Sequence, residues 1–548
     1  MMNFRDMAKG YFSRHDRSWI LSLVAAVCLV YLPFLGNPFI FDDVRFFQSG
    51  SVNNFASGEF HYGLRWLPYA TLGWTYALFS DVLPHFYHFG NLLVHAASVI
   101  ALFYLLRQLV TAVIPDSTSA PSVIWGAWFG ALLFAVHPVA VYGVGYLIQR
   151  SILMATLFVL LMQLAYLRGL LSGRWGWLAL AVAAYFLAGF SKEHSVLAPA
   201  LLGAETLLLR AQIRASARAL WLTWGALALV GMQIVLLAKG VIGTPYEGIA
   251  EALFEQQDLI VSTPVLHVLS VLTQAGLFFK YLLLMLVPNP AWMSVDMREP
   301  FVSSLAAWQG WLGATGFILY GVLGLWLLLR PRWAGLAGLA LLYPWLLFAL
   351  EFSSIRVQEI FVLYRSYLWL PGIMLFIPML LAKWPGKKMS LTLAMAALLL
   401  LPLAWNRLWV FGDNYRLWND AAKLLQSGKE PMASRIYYNR ANAQAGLGKW
   451  EEAATDYERA VAGMQREYTA LYHALGVAYL NTRRYQEALA QFDKVIALDP
   501  DFATAYYNKG VTLKRLQQHD LAMQNIAKSC ELKYSIACLI LNMNLLKK

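Results

Sequence analysis

The chain has 548 residues, of which 59% are hydrophobic and only 14% charged, with a formal net charge of +12. Soluble domains carry roughly twice that charged fraction, so a single soluble domain is excluded. The basic residues sit mostly in short loops between apolar runs, which points to a membrane surface and away from nucleic acid as a partner.

The first apolar run, about 18–36, follows Arg5, Lys9, Arg14 and Arg17. That basic end resembles a signal peptide's, but no small-residue cleavage site follows, so the run reads as an uncleaved first span. Asn37-Pro38-Phe39-Ile40-Phe41-Asp42-Asp43 comes next, and a carboxylate pair at that depth can act as a base, hold a metal or cap a helix. Further spans are expected at about 88–106, 122–137, 151–168, 175–190, 195–209, 219–238, 308–329, 333–350, 362–381 and 389–410. The 21 tryptophans suit aromatic belts at both interfaces.

With a cytoplasmic N-terminus, alternation places Arg107 and the loops 168–174, 210–218, 330–332 and 383–388 inside. Each is short and basic, as the positive-inside rule requires. The run at about 266–288 is apolar enough to span but breaks this parity. It is therefore expected as an interfacial or re-entrant helix within an outer loop of about 239–307, leaving the tail outside the cytoplasm. Outside also fall Asp42, Asp43, Arg65, His85, His88, His137, Arg150, Lys192, Glu193, His194, Arg356, Glu359 and Arg365. Charges near membrane depth are costly and mark sites or pathways, with interfacial snorkelling as the alternative.

After a linker or capping helix over 411–433, the sequence from 434 to 548 turns polar and rich in alanine and tyrosine. Ala441, Gly476 and Gly510 recur at close to the ~34-residue period of tetratricopeptide repeats. Trp450-Glu451-Glu452-Ala453 matches Tyr485-Gln486-Glu487-Ala488, and Ala522 holds the same place in a third unit. Such an array predicts a soluble α-solenoid that binds protein surfaces. The cysteines are Cys28, Cys530 and Cys538, with no zinc spacing.

Several ordered blocks carry a family resemblance: Phe41-Asp42-Asp43; Arg65-Trp66-Leu67-Pro68; His88-Phe89-Gly90-Asn91-Leu92-Leu93-Val94-His95; Leu133-Phe134-Ala135-Val136-His137-Pro138 with Arg150 beyond; Ser191-Lys192-Glu193-His194; and Tyr364-Arg365-Ser366-Tyr367-Leu368. In this order they resemble the GT-C class of polyprenyl-phosphate-sugar glycosyltransferases, and within it the membrane-and-tetratricopeptide O-mannosyltransferase group and its bacterial relatives. The resemblance implies residues 1–410 as the GT-C-type transferase domain of about eleven spans and an all-α fold throughout. It implies Asp42 or Asp43 as catalytic base, not separable from sequence. Lys192, Arg365, Arg150 and Arg356 are the implied ligands of the donor's lipid phosphate, with Lys192 and Arg365 expected to face one cavity. Arg65, His88, Glu193, His194 and His137 would line the acceptor pocket. Ser151, Tyr364 and Ala140 depart from the family pattern, which bears on the sugar and on any metal. No metal ligand set is assigned, and a divalent ion stays open as cofactor.

The implied reaction moves a sugar from a polyprenyl-phosphate carrier to a hydroxyl of an exported, pilin-like protein held by the repeats. The setting would be a bacterial inner membrane, among its lipids, with the repeat domain periplasmic. The alternative is a non-enzymatic membrane scaffold that recruits exported proteins. Finally, Cys530 and Cys538 lie eight positions apart, about 12 Å along a straight helix, beyond disulfide reach. A helix–turn–helix would bring them together, and the spacing resembles Sel1-like repeats, in which such a pair staples two helices. Two buried free thiols are the other reading.

Overall fold

The computed structural model describes residues 14–57, 62–79, 83–114, 121–238, 262–357, 359–426, 430, 432–464 and 467–542. These fall into two units, one of residues within 14–413 other than 296–300, the other of 296–300 and 414–542. The second begins inside the segment expected as linker and draws in five residues from far upstream.

The first unit contains α1 (Arg14–Tyr31), α2 (Asp42–Gln48), α3 (Ser51–Ala56), α4 (Trp66–Phe79), α5 (Pro84–Val113), α6 (Pro121–Ala135), α7 (Pro138–Val144), α8 (Arg150–Ser172) and α9 (Trp175–Ser191). It continues with α10 (Pro199–Leu208), α11 (Ala217–Ala238), α12 (Thr263–Leu286), α13 (Trp308–Leu328), α14 (Arg332–Phe348), α15 (Leu370–Met374), α16 (Phe376–Lys383) and α17 (Lys387–Phe411). Among the described residues, eight helices are long and apolar enough to cross a membrane, or nine if the bent α6–α7 pair is one span.

The 59° bend between α6 and α7 has a local cause. Pro138 cannot continue α6, and His137 before it takes extended backbone. His137 then caps α7: Nδ1 accepts the Val139 N–H at 3.2 Å, which leaves Nε2 to donate to the Met285 carbonyl at 3.0 Å. Helix contacts rely on small residues. A Cβ at Gly313 of α13 would lie 2.8 Å from the Gly276 backbone of α12, so the two helices meet backbone to backbone.

Two expected spans take shorter form. The run 195–209 yields only the ten-residue α10, and 362–381 divides among a 3-10 turn (Leu363–Leu368), α15 and α16. Pro199, Pro371 and Pro378 supply the interruptions. The run expected not to span, α12, is 24 residues long and passes the same test of length and apolarity as the spans. Its partners at either end explain how it sits. His267 bonds the Phe352 carbonyl, Gln274 the Ile360 carbonyl, and Met285 accepts from His137. These partners belong to the α6–α7 break at residue 137 and to the segment 349–365.

The second unit contains α18 (Asn414–Lys423) and three helical pairs: α19 (Ala433–Gly446) with α20 (Trp450–Ala462), α21 (Thr469–Asn481) with α22 (Tyr485–Leu498), and α23 (Ala503–Arg515) with α24 (His519–Glu531). A last helix, α25 (Ser535–Asn542), follows. Small residues let each pair close: Ala441, Ala453 and Ala488 are fully buried, and a Cβ at Gly476 would lie 2.7 Å from the Phe492 ring. Leu471, Leu475 and Tyr457 fill the seams between pairs. Every turn inside a pair uses one left-handed residue two places before the second helix: Gly448, Arg483 and Gln517, with φ of 73°, 64° and 62°. Lys533 does the same before α25, and there Cys530 and Cys538 are joined in a disulfide, Cα to Cα 4.7 Å.

Candidate functional site

The end of the bundle that gathers residues 37–43, 146–150, 191–195, 349–365 and 407–411 is built from short helices, 3-10 turns and loops. Irregular backbone at membrane depth must be satisfied by protein partners or line a cavity. Here side chains from distant segments do the satisfying. Asn37 donates to the Leu408 carbonyl at 2.8 Å, and His88 Nε2 donates to the Asn37 carbonyl at 3.0 Å.

Asp42 and Asp43 open α2 behind Phe41, whose φ of 51° and ψ of −119° are costly for a residue with a Cβ. The structure separates the two carboxylates. Asp43 is buried, and its oxygens accept three backbone N–H groups: Ile148 at 2.8 Å, Leu147 at 3.3 Å and Ile40 at 3.3 Å. Burial pushes its carboxyl up to about 7, against the pull of those three bonds. Asp43 therefore holds the 3-10 turn Leu147–Gln149 against the first loop. Asp42 is exposed, and its Oδ2 accepts the Tyr146 hydroxyl at 2.8 Å. Burial, and then the two carboxylates beside it, hold the Tyr146 phenol well above its ordinary range, so it stays a donor.

From Tyr146 the site runs to Tyr364, 6.2 Å between ring centroids. Lys192 Nζ lies 4.9 Å from the Tyr364 ring centroid and the Arg365 guanidinium 5.9 Å from it, so the two cations are no farther apart than those lengths end to end. Lys192 terminates α9 and is 3% exposed, with Nζ donating to Gln149 Oε1 at 3.0 Å and Ser151 Oγ at 3.4 Å. Among the described residues no carboxylate pairs with it. Burial pulls the amine down to about 7.

Arg365 and Arg356 converge on Glu351, whose Oε2 receives Arg365 at 2.9 Å and Arg356 at 2.8 Å. Arg365 also reaches Glu359 at 3.2 Å. His194 stands between two carboxylates, 3.4 Å from Glu193 on one side and 3.4 Å from Glu351 on the other. Glu193 in turn takes a two-point grip from Arg65, Nε to Oε2 at 3.0 Å and the second nitrogen to Oε1. Burial would raise Glu193, but Arg65 outweighs it and holds the carboxyl well below the usual range. Arg65 has a left-handed φ of 63°, a second strained residue at this end. A cavity of about 340 Å³ opens beside the chain of charges, lined by Arg65, Tyr69, Glu193, His194 and Arg356 and walled by apolar Ile234, Val235, Leu237 and Ala238 of α11.

Three expected site residues stand apart. Arg150 spends its guanidinium inside the bundle, on Asn91 Oδ1 at 2.8 Å, the Tyr87 carbonyl at 2.7 Å and Thr71 at 3.2 Å. It ties α8 to α5 and α4, with all three of these bonds made to groups of the protein itself. His88 and His137 bond backbone carbonyls and line no part of the 340 Å³ cavity. Lys192 and Arg365 do not line that cavity either; what they share is the Tyr364 ring. Tyr146, Gln149 and Glu351 enter the site without having been singled out. Tyr146 lies only four positions before Arg150, the one signal that marked its neighbourhood. Among the described residues no three His, Cys, Asp or Glu side chains converge as a metal would need.

Comparison with known proteins bears on the repeat unit. Residues 484–517 match the family described as TPR repeat, and residues 503–535 and 418–468 match families described as Tetratricopeptide repeat. The Arabidopsis thaliana protein described as "Tetratricopeptide repeat domain-containing protein PYG7, chloroplastic" is 28% identical over 94 residues, which is 17% of this chain. The matched region spans 28% of that relative's length. A solved structure described as "Crystal structure of MamA" is 20% identical and covers 29% of this chain and 85% of its own, but its TM-score of 0.20 carries no argument. The chain carries a tetratricopeptide repeat domain fused to an all-helical bundle with several helices apolar enough for a membrane.

Proposed function

We propose that the bundle is a GT-C-type glycosyltransferase that moves a sugar from a polyprenyl-phosphate carrier to a hydroxyl group, with an exported protein presented by the repeats as acceptor. The observation that carries this reading is the convergence of Asp42, through Tyr146 and Tyr364, on Lys192 and Arg365. In that reaction the acceptor oxygen bonds to the anomeric carbon as the carbon–oxygen bond to phosphate breaks. The electron pair of the broken bond leaves with the lipid phosphate, and a base removes the hydroxyl proton. Asp42 is exposed to receive the proton, whereas the oxygens of Asp43 are occupied by backbone.

Lys192 suits the phosphate because it is a buried cation that pairs directly with no described carboxylate, and an anion would supply that partner. Arg365 and Arg356 already share Glu351, so they fix that carboxylate and shape the field around the lysine. The apolar wall of the cavity on α11 suits the first isoprene units of a lipid carrier. The test compares the masses of exported proteins from cells with the chain, without it, and with Asp42→Asn. A sugar mass present only with the unaltered chain supports the reading. An identical mass pattern with Asp42→Asn rejects it in favour of a scaffold, which would tolerate that change.

A further inference from the structure

Residues 296–300, Asp-Met-Arg-Glu-Pro, follow α12 in chain order and precede the first repeat helix by more than a hundred positions, yet they cluster with the repeat unit. The segment has no helix, and Asp296 and Met297 are buried. Both carboxylate oxygens of Asp296 are used. Oδ2 receives Arg435 of α19 twice, Nε at 2.9 Å and the second nitrogen at 2.8 Å, while Oδ1 pairs with Arg298. The Asp296 and Arg298 side chains are each 4% exposed and that of Arg435 20%, so solvent screens the group poorly. Burial would raise the Asp296 carboxyl, but the two guanidinium groups outweigh it and hold it below its ordinary value.

We propose that residues 296–300 are an internal ligand of the repeat domain, held by Asp296 in a clasp of Arg435 and Arg298. A surface ion pair would hold a loop weakly, because each side chain pays entropy and water screens the charges. A carboxylate gripped by two shielded guanidinium groups is different: removing its charge leaves two poorly screened cations together, and removing Arg435 takes away the two bonds that tie the carboxylate to α19. The clasp also states what the first repeat helix recognises, a carboxylate on a non-helical segment. While the chain's own Asp296 fills that place, Arg435 is not open to an outside partner. A partner protein is left the later helices, where His473 and Asn508 pair across α21 and α23 at 2.9 Å.

The proposal is independent of the glycosyltransferase reading, and its test needs no substrate. Amide hydrogen exchange is followed on the full chain in detergent, over 294–302 and over Tyr485–Leu498 as a folding control. Asp296→Asn and Arg435→Ala should each raise exchange over 294–302 on the order of a hundredfold, the scale of breaking one buried charged pair. Arg435→Lys keeps the charge with fewer bonds and should fall between. Faster exchange confined to 294–302 supports the clasp. Exchange unchanged in both variants, or raised equally in Tyr485–Leu498, overturns it.

Discussion

Asp42→Asn and Asp43→Asn remove the same charge from neighbouring positions, and the structure gives them different consequences. Asn at 42 keeps an oxygen that can accept from the Tyr146 hydroxyl now 2.8 Å away, so the fold should tolerate it. The amide cannot take a proton, and loss of a general base costs on the order of a hundredfold or more in rate, equivalent to about 2.7 kcal/mol or more of barrier. At 43 one amide oxygen must serve where two carboxylate oxygens served three N–H groups. If it takes the place of Oδ2, it keeps Leu147 and Ile40 and turns an N–H₂ toward the Ile148 N–H; reversed, it keeps Ile148 and loses the other two. Either way a buried donor goes unsatisfied, which costs about 1–3 kcal/mol of stability. The assay follows release of lipid phosphate from a polyprenyl-phosphate mannose probe by purified protein in nanodiscs, with thermal unfolding measured on the same samples. Asp42→Asn should be folded and inactive, Asp43→Asn destabilised and active in its folded fraction. Full activity in Asp42→Asn, or an inactive Asp43→Asn of unaltered stability, would refute the assignment.

Three further outcomes are expected. Lys192→Met should lose donor binding, read by lipid-donor titration, and should also flatten the pH dependence of stability: with the folded amine near 7 and the unfolded one at its ordinary 10.5, the unfolded chain holds more protons between those values, so the unaltered protein gains stability as pH rises across that window. Gly476→Val would drive its Cβ to 2.7 Å from the Phe492 ring, and chemical denaturation of the repeat unit should show a loss of about 1–3 kcal/mol. Alkylation of the denatured chain before reduction should label Cys28 alone, with Cys530 and Cys538 labelled only after reduction; three labels at the first step would show the disulfide absent.

What could be read beforehand follows how local each signal is. The long uncharged runs and the recurring small residues are properties of single segments, and the helices and repeats built from them appear close to where expected. The ten-residue α10 escaped because a run's apolarity does not report how Pro199 trims it. Asp42 and Asp43 could not be separated because adjacent residues of identical chemistry differ only in the side of α2 they face. Arg150 and Lys192 look alike in sequence, each a basic residue at a helix end. What divides them is the company that distant segments bring: the arginine bonds Asn91, Thr71 and the Tyr87 carbonyl inside the bundle, while the lysine meets Gln149, Ser151 and the Tyr364 ring. Glu351 sits in the 3-10 turn Ala349–Ser353 just past α14 and past the run expected as span, and nothing local marked it as the anchor of two arginines.

The orientation of the bundle turns on α12, which is long enough to cross and, counted as crossing, would reverse every loop after it. Packing argues against that reversal. Gly310, Gly313 and Gly316 of α13 approach Leu272, Gly276 and Phe279 of α12 in the same ascending order, so the two helices run parallel. Consecutive antiparallel spans joined by a short loop cannot do this. The intervening chain, 287–307, must carry α13 back to the end from which α12 set out. It lacks a helix longer than the 3-10 turn Pro290–Trp292, and Arg407, near the close of α17, bonds the Met293 carbonyl at 2.7 Å. The start of α12 bonds Phe352, after the close of α14, and its end bonds His137. On the proposed function, α12 and the chain 287–307 that returns from it count together as no net crossing. With that parity, the loops 168–174, 210–218, 330–332 and 383–388 all fall at the opposite end. Those loops hold arginine and lysine and no carboxylate, whereas the site end interleaves both signs. On the proposed function, the basic loops would face the cytoplasm, and the site and the chain after α17 the outer side.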